Sequence, residues 1–469
     1  MPPKQEGQLD HLTGARFLGA LWVVCAHYLP KGPLVLLKST PVQVGGGFLN
    51  AAVLRENAAV DFFVVLSGFI THWAYSNRDL LGYQGAMRYY IRRLGRTLLT
   101  TWASMALWCV VVLLGALLHG SEPPEGWHVV RCFCFVEQWR PLPENWCPSG
   151  PSWFVFALLP AWLLYPVLRT VVLALEERTG CIGLVVAALA LYAVSFGPTL
   201  WRFLAQGRNV TFAQRAAAMY YPQAQFPDFV IGILAAALAR RHQCCAAQDS
   251  GAANYRQGEE VQDTACLGAG EFVKGCSIEE ERETEEEDEE EDDDDEAKPS
   301  RARACALLAD ASMAFIVGGL CMVPTACPLY GYCKKNHFGW EPLVDHGFAL
   351  AIACFLYGSV ASGGQGIAAG VLGHPALVEL GKLSFEVYIF QEPTYKAFGL
   401  FTDVHEPEVF MAYLLALFAF AALYVKYAQG PLTEQLHAAS SFVGQAQVPR
   451  GVEASRYGQL EPPRCVPGP

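Results

Sequence analysis

What most constrains this chain is a series of apolar stretches, several at or above the roughly 17–25 residues that an α-helix needs to cross a bilayer. They run over 58–75, 97–119, 152–173, 181–204, 226–239, 304–323, 344–360, 375–393 and 409–428, and a first one begins near Leu12. The hydrocarbon core offers no partner to a backbone N–H or C=O, so such a chain must satisfy its backbone internally, as helices. The expectation is an all-α, polytopic membrane protein with about ten transmembrane helices. The sixth stretch is short and carries Asp228, and the ninth contains Glu379, Lys382 and Glu386. Composition agrees with a membrane protein: 53% of residues are hydrophobic and 17% charged, and the mean hydropathy is +0.24. That balance excludes an ordinary soluble enzyme and a disordered scaffold. The first span carries Arg16 and His27 and lacks a small-residue cleavage site, so it reads as a retained signal anchor.

The formal charge of −12 arises from one place, because residues 279–296 hold sixteen acids and one arginine. Outside that run the chain has 32 basic and 29 acidic residues, so nucleic-acid binding has no support in the composition. The run divides the chain into a first transmembrane part (1–240, spans one to six), a polar acidic loop (241–303), a second transmembrane part (304–430, spans seven to ten) and a tail (431–469). The loop and the tail read as disordered. The loop is either a solvated tether or a docking element for a cytosolic partner.

Arg88, Arg92, Arg93 and Arg96 form the densest basic cluster and lie between spans two and three, which places that loop and the N-terminus in the cytosol. An even number of spans returns the C-terminus there. The sequon at Asn209 then falls on the lumenal or extracellular side. So do Cys132, Cys134 and Cys147 in one loop and Cys327 and Cys333 in another, where disulfides can form in a pairing the sequence does not specify. The setting this implies is an endomembrane or the plasma membrane. His72 and His119 sit near span ends, where a solvated histidine needs no special role.

Arg16 and His27 are eleven residues apart, which at 100° per residue is three turns plus about 20°, so they share one face about 16 Å apart along the helix. An ionisable residue at the centre of a span costs about 2.5–3.5 kcal/mol on insertion scales, which directs this face into the bundle or a wet cavity. Near the span ends both side chains could equally snorkel to the interface.

Taken together with the motifs of the later spans, the run from Leu12 to His27 resembles the opening of the acyltransferase family 3 membrane proteins, in which an arginine and a histidine are separated by this interval. Val60 to Phe69 is similar to that family's second-span signature, V-D-x-F-F-V-x-S-G-F, with Val64 in place of the second phenylalanine. Arg93 and Arg96 resemble its R-x-x-R motif. Trp153 to Pro166 has the W and Y-P ends of its fourth-span motif, and Phe226, Phe229 and Gly232 match its F-x-x-F-x-x-G helix. Leu380 to Pro393 resembles the L-G-x-x-S-Y-x-x-Y-L-x-H-x-P span. Two departures stand out. Leu158 and Leu159 occupy positions where many members have adjacent glutamates, and Gln391 stands where the histidine is usual. Gln391 can hydrogen-bond but cannot titrate.

The resemblance implies an O-acyltransferase that moves an acyl group, commonly acetyl, from cytosolic acyl-CoA to a hydroxyl of a glycan or lipid on the far side of the bilayer. No permanently bound cofactor or metal is expected. In that reading Arg16 holds a phosphate oxygen of the donor, while His27 serves either as general base or as the acyl-accepting nucleophile. Asp61, level with His27, reads equally as a carboxylate that orients the imidazole and as a helix N-terminal carboxylate. Arg93 and Arg96 read either as further phosphate ligands or as a topology anchor. Ser67 fits close helix packing better than nucleophilic attack. Tyr388 matches the family pattern. Glu386, about 200° away around the same helix, cannot face the same site and suits pairing with a base on a neighbouring helix. A different class, a secondary transporter, would also place Arg, His, Asp and Glu inside the membrane. No inverted repeat of motifs supports it.

Overall fold

The computed structural model describes residues 9–28, 56–120, 125–137, 147–206, 221–256, 297–322, 346–404 and 406–445. Asn209, the acidic run 279–296, Cys327 and Cys333 lie outside the described residues. Among the described residues every regular element is helical. In chain order these are α1 (Asp10–Tyr28), α2 (Glu56–Tyr75), α3 (Tyr83–His119), α4 (Gly126–Phe133), a 3₁₀ turn (Gly150–Ser152), α5 (Trp153–Ser195), α6 (Gly197–Gln206), α7 (Pro222–Arg256), α8 (Ala297–Met322), α9 (Ala349–Ala361), α10 (Ile367–Leu372), α11 (Pro375–Gly381), α12 (Ser384–Gly399), α13 (Pro407–Tyr424), a π-turn (Val425–Gln429) and α14 (Gly430–Gln445).

The all-α membrane architecture stands, and the described residues do not establish all ten spans. Five described segments are long and apolar enough to cross a bilayer: Asn57–Tyr75, Tyr83–His119, Gly150–Ser195, Arg301–Cys321 and Pro407–Ser440. The fourth and fifth apolar stretches meet in α5, which is two helical segments joined across a break at Gly180, whose φ of 62° is open to glycine. The ninth stretch is divided into α11 and α12 around Lys382 and Leu383. α9 has thirteen residues, fewer than a straight span needs. Helices also continue where hydrophobicity stops. α3 begins at Tyr83, so the arginine cluster lies on a helix and the connection from α2 is short. α7 runs on to Arg256 and α8 begins at Ala297, inside what reads from sequence as a disordered loop. α14 likewise occupies the start of the expected disordered tail and docks on α3, with Leu436 against Gly95 and Arg92 donating to Ser440 Oγ at 3.1 Å. The outward faces are apolar, with Val110, Leu117, Val171, Ile182, Leu415 and Leu423 exposed, as suits lipid as the surrounding solvent.

α1 packs against α2, α10, α11 and α12, and contributes to both hydrophobic cores. It runs antiparallel to α2: Leu12 and Ala15 share a core with Val65, Leu66 and Phe69, while Val23 and Val24 share the other with Ala59 and Val60. α2 and α7 run parallel, with Val65 against Gly232 and Arg240 Nη1 donating to the Trp73 carbonyl, each of these pairs 167 residues apart. The helices touch because two glycines leave room. A Cβ on Gly68 would lie 1.9 Å from the Phe229 carbonyl oxygen, and one on Gly232 would lie 1.9 Å from that of Val65.

α3 repairs two proline defects. Pro166 and Pro393 lack the N–H that would bond the carbonyl four residues earlier. The Tyr89 hydroxyl donates to the buried Trp162 carbonyl, which Pro166 leaves without its helical donor, at 2.9 Å. The hydroxyls of Ser104 and Ser149 close on the Ile389 carbonyl at 2.7 and 3.0 Å. Proline kinks in α5 and α12 are thereby held in fixed relation to α3.

Gly68→Val should force α2 and α7 apart and cost about 1–3 kcal/mol. The check is thermal unfolding in detergent beside Gly318→Ala, where the new methyl meets nothing within 4 Å. The first variant should melt earlier and the second should not.

Candidate functional site

Arg16 sits two turns into α1, half-buried, and interacts electrostatically with Glu386, Arg96 and Arg93. Arg96 Nη2 donates to Glu386 Oε1 at 3.0 Å; the Arg96 side chain is 44% exposed and that of Glu386 is fully enclosed. Glu386 thus pairs with a base on a neighbouring helix, as its position suggests. Gln429 donates to the same oxygen and also to Thr100 Oγ1, the latter at 3.2 Å. The π-turn supplies the extra residue that turns this amide inward. Arg93 faces the bundle, with Nη2 donating to Ser67 Oγ at 2.8 Å and its guanidinium 5.0 Å from the centroid of Trp162. Trp162 Nε1 donates to the same Ser67 oxygen at 2.9 Å. An oxygen accepting from both an indole and a guanidinium ties α2 to α3 and α5. Arg16, Arg93 and Arg96 against the single carboxylate of Glu386 leave two positive charges in excess among these four side chains.

At the other end of α1, His27 is exposed and its Nδ1 lies 2.8 Å from the Val23 carbonyl oxygen. A carbonyl only accepts, so Nδ1 carries the proton and Nε2 of the neutral ring holds a lone pair. The backbone of α1 thereby holds the ring through Nδ1 and leaves Nε2 outside that contact. Tyr28 stacks on Tyr395 at 4.3 Å and meets Tyr413 edge-on at 5.8 Å. The Tyr413 hydroxyl donates to the Gln391 carbonyl at 3.1 Å. Close by, Glu392 accepts from Gly150 N and from Trp108 Nε1, which ties the 3₁₀ turn to α3 and α12.

Asp61 does not hold the Nδ1 proton of His27, which the Val23 carbonyl takes. Given that Gly19 faces Phe62 and Phe63 on the antiparallel α2, Asp61 lies level with about residue 21, roughly 9 Å from His27 along the axis. It is buried and grouped with Asp228 and His346. Tyr388 packs its ring against Phe63 and Phe154, on the side of α12 away from Glu386. Gln391 donates back to the Tyr388 carbonyl at 2.7 Å, so it fastens its own helix rather than replacing a titrating histidine. His72 is buried, 3.3 Å from the Tyr165 hydroxyl, which corrects its reading as a solvated residue. Cys132 pairs with Cys147, and Cys134 is free. His128 lies beside that disulfide, but the two sulfurs are bonded to each other and offer no thiolate ligands.

Sequence reasoning did not single out Trp162, Glu392, Gln429 or His346. Trp162 lies within the Trp153–Pro166 motif and Glu392 within the Leu380–Pro393 motif, at positions those motifs leave unspecified. Gln429 and His346 carry no pattern, since each becomes relevant only through a tertiary contact.

Glu386→Ala should bring Arg16 and Arg96 into uncompensated repulsion and destabilise the fold by roughly 1–3 kcal/mol, less than a fully buried pair because Arg96 reaches solvent. Glu386→Gln, which retains an acceptor for Gln429, should fall between it and wild type in a melting series. Equal melting temperatures for all three would contradict the contact.

The model of the acyltransferase 3 family, described as an acyltransferase domain, matches residues 9–243 and so half of the chain. That region carries five of the six motif segments and includes Arg16, His27, Asp61, Ser67, Arg93 and Arg96. The sixth, with Glu386, Tyr388 and Gln391, lies beyond it. No curated protein and no solved structure matches. The membrane helices and this match together make the chain a membrane acyltransferase, and it belongs to the acyltransferase 3 family.

Proposed function

We propose that the protein transfers an acyl group, acetyl in the simplest case, from acyl-CoA bound at the arginine end of α1 to a hydroxyl of a glycan or lipid at the histidine end. The observation that carries this reading is the pairing, on one helix, of a positively charged cluster with an imidazole base about 16 Å further along. The excess charge around Arg16, Arg93 and Arg96 suits the phosphate and pyrophosphate oxygens of coenzyme A, which guanidiniums grip bidentately. Nε2 of His27 takes the proton of the attacking hydroxyl as it adds to the thioester carbonyl. Collapse of that adduct forms the ester and expels the coenzyme A thiolate, which takes up a proton. An acyl-imidazole on Nε2 is the other route the same nitrogen allows.

In this reading the arginine end is cytosolic, the histidine end lumenal or extracellular, and both termini cytosolic. Asn209 is then accessible to the glycosylation machinery. Expression in a glycosylating host should give an endoglycosidase-sensitive band shift that Asn209→Gln removes. Protease cleavage within residues 207–220 in sealed, cytosol-side-out microsomes would reverse the orientation.

Arg16 and His27 should fail differently. His27→Ala or Gln should lower turnover about 10²–10⁴-fold, the usual worth of acid–base catalysis, while donor binding survives. Arg16→Ala should weaken donor binding, and Arg16→Lys should restore only part of it. Binding of acyl-CoA by calorimetry, beside release of free coenzyme A, separates the two. A folded His27→Ala protein with wild-type turnover would overturn the catalytic assignment, and solute uptake without acyl donor would favour a transporter.

A further inference from the structure

The parallel register of α2 and α7 has a chemical consequence apart from the acyl-transfer residues. The offset of 167 residues that sets Val65 against Gly232 and Trp73 against Arg240 also sets Asp61 against Asp228. The glycine contact brings the two helices close enough for both carboxylates to share one space. The third member comes from His346, three residues before α9. Its segment is held in place by the Tyr192 hydroxyl, which donates to the Gly347 carbonyl at 2.9 Å, and by the edge of Phe196 against the imidazole. His346 Nδ1 lies 2.8 Å from Asp228 Oδ2. One ligand atom from each of Asp61, Asp228 and His346 lies within 4.8 Å of the other two, and all three residues are buried. The second carboxylate oxygen of Asp228, fully enclosed, makes no hydrogen bond among the described residues.

We infer that Asp61, Asp228 and His346 form a divalent transition-metal site, with Zn²⁺ the ion that its ligands fit best. As metal ligands, two ionised carboxylates and a neutral imidazole would supply a charge of −2, which a divalent cation cancels. Neighbouring ligands of a zinc ion bound at about 2.0–2.2 Å stand roughly 3.3–3.5 Å apart, so small side-chain rotations complete the set. Three protein ligands with a fourth position open is a zinc arrangement. Calcium takes six to eight oxygens and magnesium an octahedron of oxygens, and neither favours a nitrogen in so small a set. The imidazole would bind through Nδ1 as its Nε2–H tautomer, so the contact between Asp228 and His346 gives way to bonds from both to the ion. Bound there, the ion would clip α2, α7 and the start of α9 together at the histidine end of the bundle.

The test uses full-length protein in detergent, stripped with a chelator, reloaded with Zn²⁺ and desalted before elemental analysis. Wild type should retain about one zinc per chain. Asp228→Asn and His346→Gln should each weaken retention at least tenfold, while His128→Gln, which alters the histidine beside the disulfide, should retain it. Reloading stripped wild type with Zn²⁺ should also raise its melting temperature, and equal concentrations of Mg²⁺ or Ca²⁺ should not. This second readout stands even if a variant fails to fold. No retained zinc in wild type, retention unchanged in both site variants, or a melting temperature indifferent to zinc would each overturn the site and leave a carboxyl–imidazole cluster that shares protons only.

Discussion

Charge buried among membrane helices needs countercharge, and the structure meets that need at one enclosed carboxylate. Glu386 pairs with Arg96, accepts from Gln429 and senses Arg16, so helices from four parts of the chain converge on its carboxylate. Removing water from so many ionic groups is costly unless each finds a partner. Arg93 finds a different one, in the Ser67 hydroxyl and the face of Trp162. The cluster retains an excess of positive charge after these pairings. An anionic ligand at this place would complete the neutralisation that Glu386 begins, so the electrostatics of the fold and the proposed binding of a phosphorylated donor would have one physical origin.

The rest of the architecture fixes that cluster relative to His27. α1 is pinned along its first half by backbone contacts, where a Cβ on Gly14 would strike the Leu372 carbonyl and one on Gly381 the Thr13 carbonyl. A helix held so closely cannot slide, so the separation between its arginine and its histidine is a structural constant. α3 contributes at two levels, carrying Arg93 and Arg96 near its start and then using Tyr89 and Ser104 to satisfy carbonyls that prolines in α5 and α12 leave bare. The kinked helices that carry Trp162 and Glu386 are therefore registered by the same element that presents the arginines to them.

Much of this is legible in the sequence, for identifiable reasons. Arg16 and His27 can be read because a spacing of eleven returns to one helical face, and ionisable residues inside an apolar stretch stand out against their surroundings. Glu386 is separable from Tyr388 by angle alone, and the two do face different neighbours. Helix ends are less legible. Hydropathy marks where lipid stops, whereas α3, α7 and α14 continue through arginine, alanine and glutamine, which are good helix formers in water. The partners of Asp61 are hidden from sequence. They depend on a register between α2 and α7 that two glycines permit, and on His346, a single residue at the border of an apolar stretch. Sequence sets Asp61 near His27 because both lie towards one end of antiparallel helices.

Acyl groups that enter at the arginine end of α1 should leave as esters at the histidine end. Sealed proteoliposomes with the protein in one orientation, loaded with glycans and lipids from cells that lack it and given radiolabelled acetyl-CoA outside, test this directly. With the arginine end outward, label should accumulate in the enclosed glycan or lipid fraction while free coenzyme A remains outside. Label appearing in acceptor only when donor and acceptor share the outer compartment would contradict transfer across the bilayer.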